Sequence, residues 1–342
     1  MQKKTKVTSL LMLLLLLLVA AACGSKEITP DTGGSVTNTE EKSAVNSPSA
    51  EPNKEKDSSA KTRIFEHAKG KTEIPTHPER IIAIQYTGAM LALGVKPVGG
   101  DNEWSVYPLL AKEWEGIEHV GDPWTGLNLE KIIELEPDLI VTHAEQTYEQ
   151  LSKIAPTLFI PWLQYDVREQ ITVFGDILGK QPEAEAWLER FDAKVEATKQ
   201  QAGGIIGSGE TVAIVNVRPK NQFIYGDSAM GGYVIYQALD LNAPESIQRD
   251  VLDQKKAALE ISLEALPDYL SSADYIFLSV LEADGGKERA EEVKNSALWK
   301  NLPAAKNNHI YALDWNTYFT TDPLSTEKQL DTFAGLLSAI KK

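Results

Sequence analysis

Two periods of apolar residues alternate along most of this chain. From Arg63 onward, short β-branched runs give way repeatedly to stretches with an apolar residue every three or four positions, the patterns of buried strands and of one-sided helices. Strands are expected at 81–85, 139–142 and 157–160 in the first half, and at 212–217, 275–280 and 309–313 in the second. Between them, a helix at 90–93 is stopped by Gly94, and another at 129–135 is capped by Asn128 and closed before Pro137. Such alternation predicts an α/β fold with mainly parallel sheets.

One motif occurs twice. Asn128-Leu129-Glu130 opens a helix leading to Pro137-Asp138-Leu139-Ile140-Val141, and Ser262-Leu263-Glu264 opens another leading to Ala273-Asp274-Tyr275-Ile276-Phe277. A repeated cap, leucine, glutamate and buried strand predicts two lobes of similar build. Between the lobes, 166–201 reads as helical, with a break at Gly179-Lys180-Gln181-Pro182. Ile171, Phe174 and Leu178 share a face before the break, and Trp187, Phe191 and Val195 share one after it. At ~1.5 Å per residue the segment reaches roughly 50 Å; the proline either kinks it or divides it into two stacked helices. A helical connector restrains hinge motion, so a largely pre-formed cleft is expected between the lobes. A closing helix at 325–340 turns Leu330, Phe333, Leu337 and Ile340 to one side and is expected to pack back on a lobe.

Upstream of Arg63 the pattern changes. Lys3, Lys4 and Lys6 precede an apolar run, 10–22, that closes on Cys23, the only cysteine. About 13 residues falls short of the ~20 that span a bilayer, and a basic start followed by an apolar run and small residues is an export signal. A lone exported cysteine has no disulfide partner. The arrangement resembles a bacterial lipoprotein signal, with Ala20 where that motif usually has leucine. That resemblance implies that Cys23 is acylated and begins the mature chain, anchored at the extracellular face of the cell membrane. From Gly24 to Ala60, Ser, Thr, Pro, Glu, Lys and Asn prevail, and a flexible tether is expected. Such an anchor and tether suit an organism without an outer membrane.

The formal charge is −15, and becomes −18 when 1–22, with three lysines and no acid, is removed. So acidic a chain is unsuited to nucleic acid, and the acyl chain must hold it at the membrane. The expected organisation is a signal peptide at 1–22, the acylated cysteine and tether at 23–61, and an N-terminal α/β lobe at 62–165. A connecting helix at 166–202 follows, then a C-terminal α/β lobe at 203–324 and the closing helix at 325–342.

In open α/β sheets ligands sit beyond the carboxyl ends of the strands. The first lobe presents Tyr86, Thr87 and Gly88, then His143, then Trp162, Gln164 and Tyr165 at those ends, with Trp104 and Trp124 on loops able to join them. The second presents Arg218 and Lys220 with Tyr225 nearby, then Glu282, then Trp315 and Tyr318. Large rings beside a few polar groups grip bulky, half-apolar small molecules. Trp114, Trp187 and Trp299 read instead as packing residues. His67, His77, His119, His143 and His309 show no metal-ligand spacing, so neither a bound metal nor a cofactor is expected.

Residues 62–342 resemble the solute-binding lipoproteins of iron–siderophore and cobalamin ABC importers. The resemblance is carried by Ile74-Pro75 with Pro78-Glu79-Arg80-Ile81, by 91–99 (Leu-Ala-Leu-Gly-Val-Lys-Pro-Val-Gly), by the two glutamate motifs, by Gly179-Lys180 with Glu183-Ala184-Glu185, and by Trp299 with Leu302-Pro303-Ala304. Tyr225-Gly226-Asp227 through Gly231-Gly232, and Leu266-Pro267-Asp268-Tyr269, look most like the ferric hydroxamate binders. The family implies two α/β lobes bridged by one long helix, the class III type of periplasmic binding protein, acting as a monomer. It also implies that Glu130 and Glu264 dock on the importer's permease.

Charge narrows the ligand. A ferric tris-catecholate is a trianion and demands several cations, whereas the strand ends supply only Arg218 and Lys220. A ferric hydroxamate, its iron held by the chelator alone, is expected, with Arg218 bonding the iron-coordinating oxygens. Cobalamin stays open through Trp124, and haem and ferric citrate are further alternatives behind it. Two other classes compete. Gly226-Asp227-Ser228 resembles the nucleophile block of a GDS-type hydrolase, but Lys306 stands where such an enzyme has its aspartate, three residues before His309, and no enzyme is expected. The other class is an adhesin or sensor on the same scaffold.

Overall fold

The computed structural model describes residues 61–101 and 109–340. Cys23, the tether and Trp104 lie outside the described residues. An antiparallel hairpin, β1 (Thr62–His67) and β2 (Gly70–Pro75), leads into β3 (Ile81–Ala83), β4 (Gly99–Gly100) and β5 (Glu118–His119). A short antiparallel ribbon follows, β6 (Gly121–Asp122) and β7 (Gly126–Leu127), and then β8 (Leu139–Thr142) and β9 (Thr157–Phe159). The first lobe's sheet has the order β5-β4-β3-β8-β9 and is parallel throughout.

The second lobe is built from β10 (Val212–Val217), β11 (Gln222–Tyr225), β12 (Ala258–Ile261), β13 (Tyr275–Val280) and β14 (Ile310–Leu313), in the order β12-β11-β10-β13-β14. Here β10, β13 and β14 are parallel, while β11 runs antiparallel to both of its neighbours. The six strands expected from the pattern are thus where it puts them, with ends trimmed: 81–85 stops at Ala83, 157–160 at Phe159, and 309–313 begins at Ile310. The outer strands β4, β5, β11 and β12 and the two small ribbons were not expected.

Alternation along these strands sorts the core. Ile81, Ala83, Leu139, Val141, Val212, Ile214, Tyr275 and Phe277 belong to one large buried cluster that takes in both lobes. Their neighbours face outward into two separate clusters, Ile82, Ile84 and Ile140 on the first lobe and Ala213, Val215, Ile276 and Leu278 on the second. A pleat of period two requires this division.

What fills the space between the inner faces is helical. The segment 166–201 takes the second of its two options and divides. Asp166 and Glu169 form a capping box on the helix Val167–Leu178, which ends at Gly179 with φ 66°, a left-handed cap that favours glycine. The helix Gln181–Gly203 then starts with Pro182 in its first turn, where a missing N–H costs nothing. The two helices pack side by side. Arg168 pairs with Asp192, and Gly175 lies so near Ala184 that an added Cβ would sit 2.7 Å away. Phe174, Trp187 and Phe191 are all buried in the shared cluster. The long helix of 23 residues extends about 35 Å.

The closing helix, Pro323–Ile340, lies against both connecting helices, against Thr87–Ala92 of the first lobe and against Tyr233–Ala238 of the second. It therefore joins both lobes, whereas the pattern of its apolar face gave only one. Lys328 strengthens the join by donating to the Leu109 carbonyl and to Glu113 Oε1, the latter at 2.7 Å. That bond holds the Glu113 carboxyl below its usual range.

The repeated motif is only partly repeated in structure. Asn128 accepts a hydrogen bond from the Lys131 amide at 3.0 Å and caps Leu129–Glu134. Ser262 instead opens a turn, bonded to the Ala265 amide at 3.3 Å, and the helix there starts later, at Leu266. Pro267 explains the delay, since proline is best accommodated in a helix's first turn.

Candidate ligand-binding cleft

The second lobe supplies the most ordered wall of the cleft. Strands β10 and β11 form a hairpin in which Asn216 lies opposite Phe223. Arg218, two residues on from Asn216, shares its face and sits at the turn, its amide donating to the Asn221 carbonyl at 2.9 Å. Its guanidinium is fixed from several sides. Nε donates to Asn216 Oδ1 at 3.0 Å, and Nη2 to the Tyr225 hydroxyl at 2.7 Å. The group lies 4.6 Å from the Phe223 ring centroid and 5.3 Å from that of Trp315. Asn216 is in turn anchored by donating to the Ser279 carbonyl at 3.2 Å. Nη1 has no partner among the described residues. An arginine so held keeps a donor ready for an external acceptor without reorganising.

Trp315 opens a short helix capped by Asp314, whose carboxylate accepts from the Thr317 amide at 2.8 Å. Phe319 follows four residues later and stacks on Trp315 with centroids 4.9 Å apart. On the first lobe, Trp124 is displayed at the tip of the β6–β7 ribbon. The buried Asp122 carboxylate accepts from the Trp124 and Thr125 amides, each at 2.7 Å. The Trp124 ring is 67% exposed and packs on the buried His143 at 5.5 Å; burial lowers the His143 pKa. Trp162 is 50% exposed beyond the end of β9.

Together these residues border a cavity of about 440 Å³, walled by Trp124, Trp162 and Leu110 on one side and by Arg218, Tyr225, Met230, Trp315 and Phe319 on the other. Gln85, Gly88, Thr320, Thr321 and Asp322 also line it, with small or aliphatic residues of the second lobe. Among the described residues, Arg218 is the only basic side chain lining the cavity and Asp322 the only acidic one. Its size falls within the usual range for small-molecule sites.

Of the ligand residues expected from sequence, Trp124, Trp162, Arg218, Tyr225 and Trp315 meet at this cavity. Tyr86, Thr87 and Tyr318 do not line it. Gln85 takes a left-handed backbone, φ 81°, so the strand's alternation is lost and Tyr86 turns inward. The Tyr86 hydroxyl donates to the Ile160 carbonyl at 2.8 Å and its ring packs on Phe174. Thr87 is wholly buried. Tyr318 is buried under Gly231 and Gln329; Phe319 takes its place at the cavity. Lys220 sits away from it, in an open depression with Glu264 and Arg289. Glu130 and Glu264 are both exposed.

Leu110, Met230 and the run 319–322 were not legible as cleft residues, since none ends a predicted strand. Gly88 was, and its lack of a side chain matters. A Cβ there would overlap the Asp322 carboxyl and come within 2.7 Å of the Asp322 Cβ. Gly88→Ala is therefore expected to displace the 320–322 segment and destabilise the protein by about 1–3 kcal/mol, read as a lowered midpoint in urea unfolding.

Among the described residues, no group of three or more His, Cys, Asp or Glu side chains is placed to hold a metal ion, and no helix is long and apolar enough to cross a membrane.

Comparison with known proteins agrees with this architecture. The family model described as "Periplasmic binding protein" matches residues 82–317, more than half the chain. The iron(3+)-hydroxamate-binding protein YxeB of Bacillus subtilis is 36% identical over 279 residues, covering 80% of this chain and 85% of that protein. The probable siderophore-binding lipoprotein YfiY of the same organism is 33% identical, covering 80% and 88% respectively. Among solved structures, Staphylococcus aureus SirA complexed with staphyloferrin B superposes with a TM-score of 0.71 at 32% identity, over 81% of this chain and 99% of that one. Two α/β lobes packed on a long connecting helix, a cleft between them and these matches lead to one assignment: the chain belongs to the periplasmic binding protein family, which binds solutes for transport and is not enzymatic.

Proposed function

We propose that this protein is the membrane-tethered capture component of an ABC importer, and that its cargo is a ferric siderophore of the hydroxamate type. The observation that carries the reading is the cavity's charge. A ferric tris-hydroxamate is neutral at its core, since three hydroxamate anions balance the ferric ion. A cavity with one guanidinium and one carboxyl lining its ring-rich walls suits such a cargo, whereas a trianionic tris-catecholate would lack counter-charges. The free Nη1 of Arg218 is the donor for the iron-coordinating oxygens, and the iron keeps its chelator as sole ligand. The name of YxeB supports the same class.

The anchor rests on Cys23 and its preceding apolar run, with the lipoprotein name of YfiY in support. Docking on the permease rests on the exposed Glu130 and Glu264. A second siderophore class is kept by one observation, the staphyloferrin B complex of SirA. Titration of tryptophan fluorescence with a panel of ferric chelates tests the reading. Trp124, Trp162 and Trp315 line the cavity, so ferric hydroxamates are expected to quench strongly at submicromolar concentration. Quenching by a tris-catecholate with none by any hydroxamate would overturn it.

A further inference from the structure

Asp322 borders the same cavity as Arg218, yet the two make no ion pair. Arg218 gives its bonds to Asn216 and Tyr225, and Asp322 Oδ1 accepts from the Ser325 amide at 2.9 Å. That bond caps the helix Pro323–Ile340. Capping alone does not call for a charge, because asparagine or serine caps a helix as well as aspartate does. Burial works against a charge here and raises the Asp322 pKa, although the positive end of the helix offsets part of that penalty. Beside it, Thr320 Oγ1 is buried and has no hydrogen-bond partner, a condition that water or a ligand usually relieves. Gly88 leaves the room in which the Asp322 carboxyl sits, and Gln85 lines the same cavity.

We propose that Asp322, with Thr320 beside it, forms a polar subsite separate from the Arg218 clamp, which receives a cationic hydrogen-bond donor, an ammonium group, on the organic shell of the bound chelate. The inference rests on the hydroxamate reading of the cavity. It divides recognition between two places: the guanidinium takes the oxygens around the iron, and the carboxylate takes a pendant amine. Between a neutral amide and an ammonium, a carboxylate favours the ammonium, since charge-assisted bonds are about twice as strong as neutral ones.

The test compares two linear ferric tris-hydroxamates that differ at one atom group, one ending in a primary amine and the other carrying that amine acetylated. The wild-type protein is expected to bind the amine form tighter by about tenfold or more, and Asp322→Asn, which retains a capping oxygen, to bring the ratio close to one. Equal affinities in the wild type, or a preference that survives in Asp322→Asn, would overturn the subsite. The wild-type comparison needs no variant, so a folding defect in Asp322→Asn, checked by circular dichroism, cannot shield the idea. Absence of binding by both chelates would instead defeat the hydroxamate reading itself, and the subsite with it.

Discussion

Arg218→Ala is expected to weaken binding of a ferric hydroxamate by about 10- to 100-fold, and to lower the melting temperature modestly because the buried Asn216 Oδ1 loses its donor. The size follows from the charge-assisted hydrogen bonds it would remove, ~1.5–3 kcal/mol for a bond to a charged group. The position of the guanidinium between the Phe223 and Trp315 rings adds a second effect, because its loss leaves a gap between two aromatic walls. Arg218→Lys should recover little, since an ammonium cannot bond Asn216 and Tyr225 at once while offering a further donor in the same plane. Tyr225→Phe removes one of the clamp's bonds and should cost roughly two- to tenfold. Lys220→Ala serves as control. It removes the second cation expected from sequence, which lies outside the cavity, and should leave affinity as it was. Calorimetric titration distinguishes these outcomes; wild-type affinity in Arg218→Ala would end the clamp's role.

The paired variant Glu130→Ala with Glu264→Ala should abolish most uptake in cells while ligand affinity stays intact. Each carboxylate is exposed. Glu130 stands in the first turn of a capped helix, and Glu264 stands in a turn whose own amide and Ser262 hold its carboxyl below the usual range. A structural role predicts something else. A glutamate in a first helical turn complements the dipole by ~0.3–1 kcal/mol, so its loss would slightly lower stability and leave transport alone. Glu134→Ala separates the two, for Glu134 is exposed at the far end of the same helix. Uptake of radioactive iron chelate that falls in the paired variant and holds in Glu134→Ala supports docking. Full uptake in the paired variant removes it.

The lobes, their central strands and the helical connector were legible because short continuous apolar runs such as Val212–Val217 and Tyr275–Val280 coincide with strands buried on both faces. The hairpin of β10 and β11 also brought Tyr225 to Arg218, as their nearness in sequence promised. Failures came where local backbone overrode the period. The left-handed Gln85 reversed the expected facing of Tyr86 and Thr87, and the late helix start at Leu266 broke the echo of the Asn128 motif. The run 319–322 was hidden for another reason. It reaches the cavity only because the closing helix packs between the lobes, a tertiary event with no local signature.

The common apolar interior has a consequence for how this molecule comes apart. Neither sheet covers its inner face with helices from its own half alone. A gene fragment encoding either half would leave a broad greasy surface bare and would aggregate. The halves must instead melt together, as one cooperative unit.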